Sequence, residues 1–94
     1  MIVIVFDTET SGLIKDTDFP HILQLSYVVY NTTVNSIVTI EDDYINIPDS
    51  IKITSGSSKV HGITKELCKE KGIPIVDALH KFNRYMIDRK STRL

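Results

Sequence analysis

Residues 2–13 read Ile2-Val-Ile-Val-Phe-Asp-Thr-Glu-Thr-Ser-Gly-Leu13. Ile2–Phe6 is short, unbroken and mostly β-branched, the pattern of a strand buried on both faces. It delivers Asp7 and Glu9 at i and i+2, which on an extended chain project from one face. A glycine-containing loop follows over Thr10–Asp18, with Gly12 as its hinge and Pro20 closing it. Two carboxylates on one face, beside an apolar strand, resist ionising together. A divalent cation resolves that conflict: Mg²⁺ takes one or two carboxylates, several waters and the phosphates of a substrate. In two-metal phosphodiester hydrolysis one ion activates the attacking water and the other steadies the leaving oxygen. A bare Asp-x-Glu is common, and most such pairs are solvated turn acids; the apolar strand before the pair and the loop after it separate this one from those.

Working outward, Ile22–Tyr30 (ILQLSYVVY) reads as a second strand, Asn31–Thr33 as a hairpin connection and Val34–Glu41 as a third strand. Asp42-Asp43 reads as an exposed turn, after which the third strand could resume over Tyr44–Ile47. Residues 48–60, with Pro, Ser and Gly, read as irregular. Thr64 caps a short helix over Lys65–Lys71 closed by Gly72, and Pro74 opens another over about Ile75–Arg89. On that last helix Val76, Leu79, Phe82, Asn83, Met86 and Ile87 fall on one face at helical spacing. Three strands followed by two helices make an α+β or α/β beginning. Strand one looks central, yet the short connections supply a partner on only one of its sides. An open apolar edge is an aggregation risk, so the chain reads as the first part of a larger domain.

Ninety-four residues allow one domain, and 41% hydrophobic residues with a formal charge of −1 exclude a disordered chain. No apolar run approaches the roughly 20 residues of a membrane span, so no membrane association is expected. A single cysteine, Cys68, excludes an internal disulfide. With no leader pattern at the start, the expected compartment is the cytoplasm. Charge is split: residues 1–50 hold one Lys and eight acids, residues 51–94 ten bases and four acids. Two solvated faces explain this simply; an acidic metal-binding half beside a basic, phosphate-facing half is the sharper reading.

Phe6–Leu13, FDTETSGL, resembles the first exonuclease motif of the DEDD 3′–5′ exonucleases, which include proofreading epsilon subunits, ribonuclease T and oligoribonuclease. Val60-His-Gly-Ile-Thr64 resembles a V-H-G-I-T segment that the proofreading branch carries after its third strand. The resemblance runs from Ile2 to about Ile87. It implies an α/β, ribonuclease-H-like exonuclease fold, here incomplete: a three-stranded antiparallel meander and two helices, lacking the last two strands, with residues 1–94 the N-terminal part of a single exonuclease domain. It implies that Asp7 and Glu9 are the metal-coordinating catalytic pair and that Mg²⁺ or Mn²⁺ is the cofactor, two ions in the complete domain and weakly bound here. Thr10 matches the residue whose backbone approaches the 3′-terminal nucleotide. Gly12 lets the backbone pass close to it, Leu13 packs on the last base, and His61 lines the nucleotide pocket. The implied partners are a single-stranded DNA or RNA 3′ end and a polymerase or the missing C-terminal half of the domain.

The departures are specific. No H-N-x-x-F-D segment follows a fourth strand: Phe82-Asn83 and Asp88 lie on the last helix in the wrong order, and His80 has no Asp four or five positions on. The chain by itself is therefore expected to have little or no activity. Two other readings compete, a non-catalytic module binding nucleic acid or protein through the open edge, and a decayed frame without function. Among the remaining residues, Gln24 is expected to make a structural hydrogen bond, and His61 is more often a hydrogen-bonder than a ligand or base. His21 and His80 read as surface residues, Cys68 as a small apolar one, and Asp16 and Asp18 as solvated loop acids. Lys59, Lys65, Lys69 and Lys71 read as a solvated basic face or a phosphate contact.

Overall fold

The computed structural model describes residues 1–12 and 20–91, with side chains through residue 86. Strands β1 (Ile2–Thr10), β2 (Ile22–Asn31) and β3 (Ser36–Tyr44) form an antiparallel sheet in the order β1-β2-β3. Three helices follow, α1 (Ser55–His61), α2 (Lys65–Lys71) and α3 (Ile75–Ser91).

β2 is the middle strand and shows a period of two. Leu23, Leu25, Tyr27 and Val29 are buried, while Gln24, Ser26, Val28 and Tyr30 face the other side half-covered. The hairpin to β3 needs four turn residues, 32–35, rather than the short Asn31–Thr33 connection. Asn31 Oδ1 accepts from the Thr33 amide at 3.0 Å, and Asn35 takes the left-handed conformation at φ 57° that Asn tolerates better than most residues. β3 consequently starts at Ser36, and it runs straight through Asp42 and Asp43. The expected turn at that pair is absent because both residues are laddered to β2, Asp42 opposite Ser26 and Asp43 opposite Leu25.

β1 differs from its reading in two respects. It continues through Asp7 and Glu9 to Thr10, so the acids lie within the strand. It is also not buried: Val5 and Phe6 are more than 60% exposed. Burial on both faces requires layers on both sides, and among the described residues β1 is an edge strand with β2 as its only partner.

Residues 55–61, read as irregular, form a helix. Thr54 Oγ1 accepts from the Ser57 amide at 3.1 Å, and Gly62 ends the helix at φ 67° with its N–H on the Ser58 carbonyl. α2 has the expected limits, with Thr64 Oγ1 accepting from the Leu67 amide and the Gly72 N–H on the Cys68 carbonyl. At Gly72 a side chain has no room: a Cβ there would run into the Cys68 carbonyl oxygen and the backbone of Ile45 and Asn46. The crowding arises because Ile73 bridges in parallel to Ile45, its N–H on the Tyr44 carbonyl and its carbonyl accepting from Asn46.

α3 covers the face of the sheet defined by Leu25, Tyr27 and Val29. Ala78 is fully buried there, with Ile75, Phe82 and Tyr85 packed beside it. The rings of Phe82 and Tyr85 stand edge-on to Tyr27 at 4.9 and 6.0 Å. The apolar face expected from periodicity is a neighbouring stripe: Val76, Leu79 and Met86 are 38–55% exposed and Asn83 is exposed. Among the described side chains only Phe82 belongs to both, that of Ile87 lying outside them. The small Ala78 lets the helix approach the sheet, and Lys81 reaches β3, with Nζ 3.2 Å from Glu41 Oε1 and 2.9 Å from Asp43 Oδ2. Tyr85 OH donates to Glu41 Oε2 at 3.1 Å. A second cluster, Leu23, Ile63 and Cys68, seats α2 against the other end of β2.

Candidate metal and nucleotide-end site

Ile2, Ile4 and Phe6 lean to the α3 side, Phe6 meeting Phe82 edge-on at 5.7 Å. By alternation the odd-numbered residues of β1 face the other way. Asp7 and Glu9 therefore share the face opposite α3, opposite Ser26 and Gln24 in register. Both of those neighbours donate to Asp42 Oδ1 instead, Gln24 Nε2 at 2.7 Å and Ser26 Oγ at 2.8 Å. Gln24 thus uses its amide structurally, and Asp42 rather than Asp7 absorbs the polar groups of β2. Asp7 Oδ1 accepts from the Thr8 amide at 2.9 Å, a local turn of the carboxylate that leaves Oδ2 outward-facing capacity.

Immediately past Glu9 the register shifts: Glu9 pairs with Gln24 but Thr10 with Ile22. The extra residue at this step is Leu23 on β2, an irregularity of the kind that bends a strand pair near its end. The chain leaving it is tied down at every residue. Thr10 Oγ1 donates to the Gly12 carbonyl at 2.9 Å. Ser11 is buried; its N–H donates to the His21 carbonyl, and its hydroxyl accepts from the His21 amide at 2.9 Å. Its carbonyl accepts from the Thr54 amide at 2.9 Å. At Gly12 a Cβ would stand 3.0 Å from the Thr54 methyl, so glycine lets segment 54 lie against the backbone. His61 Nε2 is 3.0 Å from the Thr10 carbonyl oxygen.

The structure thus gathers Asp7, Glu9, Thr10, Gly12 and His61 at one end of the sheet. Leu13, Asp16 and Asp18 lie outside the described residues, as does the side chain of Asp88. The basic residues divide: Lys69 pairs with Asp49 at 3.0 Å and Lys65 donates to the Asp49 carbonyl, while Lys59 is exposed. Sequence reasoning missed Ser11 and Thr54. The signal for Thr54 was present, since a threonine ahead of Ser55-Gly-Ser57 is a helix cap; for Ser11 there was none, because its partners lie 10 and 43 positions away.

Among the described residues no group of three or more His, Cys, Asp or Glu converges as a metal cage. Two outward carboxylates on one strand face are nevertheless the share that Mg²⁺ takes from a protein when waters and substrate phosphates complete its shell. The donor set fits such an ion as a partial site.

The chain shares a ribonuclease-H-like α/β fold with solved exonucleases. The chain superposes on cell-death related nuclease 4 with a TM-score of 0.69 at 16% identity, covering 93% of this chain and 30% of that one. On the nuclease domain of 3′hExo, a DEDDh family member bound to rAMP, the TM-score is 0.72 at 15% identity, with 95% and 45% covered. On exonuclease I, solved with SSB and the inhibitor CFAM, it is 0.71 at 20% identity, with 86% and 18% covered. The chain therefore spans less than half the length of each. Among curated proteins no relative matches. The family model described as RNase_T, exonuclease, matches residues 4–91, and the chain belongs to that exonuclease family. No helix among the described residues is long and apolar enough to cross a membrane.

Proposed function

We propose that residues 1–94 are the N-terminal part of a single metal-dependent 3′–5′ exonuclease domain acting on DNA or RNA 3′ ends. The observation that carries this reading is the placement of Asp7 and Glu9 on one strand face, with a register shift directly after Glu9 and a fully tethered Thr10–Gly12 segment beyond it. Asp7 and Glu9 hold the divalent cation, Mg²⁺ or Mn²⁺, as catalytic ligands. Bound there, the cation supplies positive charge for phosphate oxygens and acidity for a water. The chain's own part is positional. Thr10 and Gly12 present backbone to the terminal nucleotide, Leu13 packs on its base, and the rigid tether of Ser11 keeps that backbone in place. The neighbours' ligands, rAMP and a histone mRNA stem-loop, support a nucleic-acid 3′ end as partner. The other partner is a polymerase or the remaining half of the domain, and the free Cys68 suits the reducing cytoplasm.

The 94-residue chain has little or no hydrolytic activity in this reading, because two carboxylates hold both ions poorly and, among the described residues, no positioned base accompanies them. The test is binding and trimming of 5′-labelled single-stranded DNA and RNA. Mn²⁺-dependent binding that weakens when the 3′-hydroxyl is blocked, with little cleavage, is the expected result. Binding indifferent to Mn²⁺ and to the 3′ end contradicts the exonuclease reading. Robust trimming abolished by Asp7→Asn contradicts the inactivity. A second reading, a non-catalytic binding module, draws on the open β1 edge and on exposed Val5 and Ile40, which flank Val28 across the face opposite α3. Saturable single-strand binding without any dependence on Asp7 favours it.

A further inference from the structure

α1 has seven residues and buries none of them; Val60 is 83% exposed. A helix this short is not stable in water by itself, and apolar packing does not hold this one. Bonds at its two ends do. At the N-cap, the Thr54 amide donates to the Ser11 carbonyl at 2.9 Å and the Thr54 methyl lies against Gly12. At the last residue, His61 Nε2 meets the Thr10 carbonyl at 3.0 Å, and the Ile63 amide donates to His61 Nδ1 at 3.0 Å.

The partners fix the tautomer of the ring. A carbonyl only accepts and an amide N–H only donates, so Nε2 carries the proton and Nδ1 the lone pair. Both nitrogens are occupied within the fold. No lone pair remains for a metal ion, and none for taking a proton from water. We infer that His61 is a positioning residue: it clamps the Thr10 carbonyl, and with Thr54 makes α1 a strut joined at both ends to Thr10–Gly12. The strut holds the end of β1 that carries Glu9, where the register with β2 shifts. This deepens the exonuclease reading, on which its relevance to metal binding rests, and gives His61 a role other than contact with the nucleotide.

Two substitutions divide the two bonds. In His61→Asn, the side-chain oxygen can still accept from the amide two residues on, as in an Asx turn, but nothing reaches Thr10. In His61→Gln, the longer amide NH₂ can still donate to the Thr10 carbonyl. The measurements are the ¹⁵N tautomer of His61 in the wild-type chain, hydrogen exchange at the Ser11 amide, and Mn²⁺ affinity by titration. The clamp predicts the Nε2–H tautomer. It predicts Ser11 exchange faster by about tenfold in His61→Asn, close to wild type in His61→Gln, and Mn²⁺ affinity following the same order. A protonated Nδ1, or wild-type exchange in His61→Asn, overturns it. If His61→Asn fails to fold, the wild-type tautomer and His61→Gln decide. If Mn²⁺ binds none of the chains, the exonuclease reading fails, while the tautomer and the exchange rates still decide the clamp.

Discussion

Phe82 stands edge-on to Tyr27 with ring centroids 4.9 Å apart, and this pair anchors α3 on the middle strand. Tyr27 is 2% exposed on the central strand, so the helix rotates to bring an aromatic edge onto it. Phe82 lies on both candidate stripes of α3; the buried Ala78 and the Tyr85 ring, 6.0 Å from Tyr27, mark the one that docks, while Val76, Leu79 and Met86 stay outward.

The first prediction compares the two stripes. Phe82→Ala removes a half-buried ring from contacts with Tyr27 and Phe6, and is expected to cost about 2–3 kcal/mol, less than for a fully buried phenylalanine. Leu79→Ala, on the exposed stripe, is expected to change stability by about 0.5 kcal/mol or less. Urea unfolding of the two variants checks this. Equal losses would mean that Leu79 is packed as closely as Phe82, contrary to its exposure.

A second prediction concerns the Glu41–Lys81–Asp43 cluster. Burial by itself would raise the Glu41 pKa, but hydrogen bonds from Lys81, Thr39 and Tyr85 outweigh it and hold that carboxyl below its ordinary value. The Asp43 hydrogen bond is the main cause holding Lys81 above its ordinary value, against the opposing effect of burial. A depressed folded pKa gives stability that is complete above the unfolded Glu pKa and lost as pH falls through the folded value. A raised lysine pKa gives stability present below the unfolded lysine pKa and lost as pH rises through the folded one. The chain should thus hold a plateau near neutrality and weaken at both extremes. Lys81→Met leaves two acids without their cation and is expected to cost about 1–3 kcal/mol at pH 7. Its melting temperature should recover relative to wild type as the pH is lowered through the carboxylate range. Thermal melts between acid and neutral pH read this directly.

The hydroxyl of Tyr27, buried beside that cluster, makes no hydrogen bond within the described residues, and its pKa is pushed up to about 12, chiefly by burial. Tyr27→Phe should cost less than about 1 kcal/mol, because a buried hydroxyl without a partner contributes little to hold. A loss of several kcal/mol would show a partner for that oxygen.

A fourth prediction separates two glycines. Gly62→Ala meets no atom within 4 Å but must hold φ 67°, and is expected to cost about 1–2 kcal/mol. Gly72→Ala collides with the backbone of Ile45, Asn46 and Cys68 and should cost more, with the Ile45–Ile73 bridge losing hydrogen-exchange protection first. A milder effect at Gly72 than at Gly62 would contradict the close packing of the α2–α3 link.

Much of this was legible in the sequence wherever the determinant is local. The alternation of Ile22–Tyr30 marks β2, Thr64 and Gly72 mark the ends of α2, and Asp7-x-Glu9 places two carboxylates on one face without any tertiary information. What was not legible depends on partners distant in sequence. The exposure of β1 follows from which layers cover it. The α3 face follows from Tyr27, 55 positions away. The straight course of β3 through Asp42-Asp43 depends on Lys81, which neutralises Asp43, and on Gln24 and Ser26, which satisfy Asp42. α1 had a readable cap at Thr54, but its lack of an apolar face hid it from any search by periodicity.

The central claim is that Asp7 and Glu9 together hold a divalent cation, and Mn²⁺-induced broadening of amide resonances tests it most directly. In the wild-type chain, broadening should centre on Asp7–Thr10 and spread across β2 to Gln24 and Ser26, their register partners. Asp7→Asn should remove it. Broadening centred on Glu41–Asp43 or Asp49, or broadening at β1 that survives Asp7→Asn, would contradict the account.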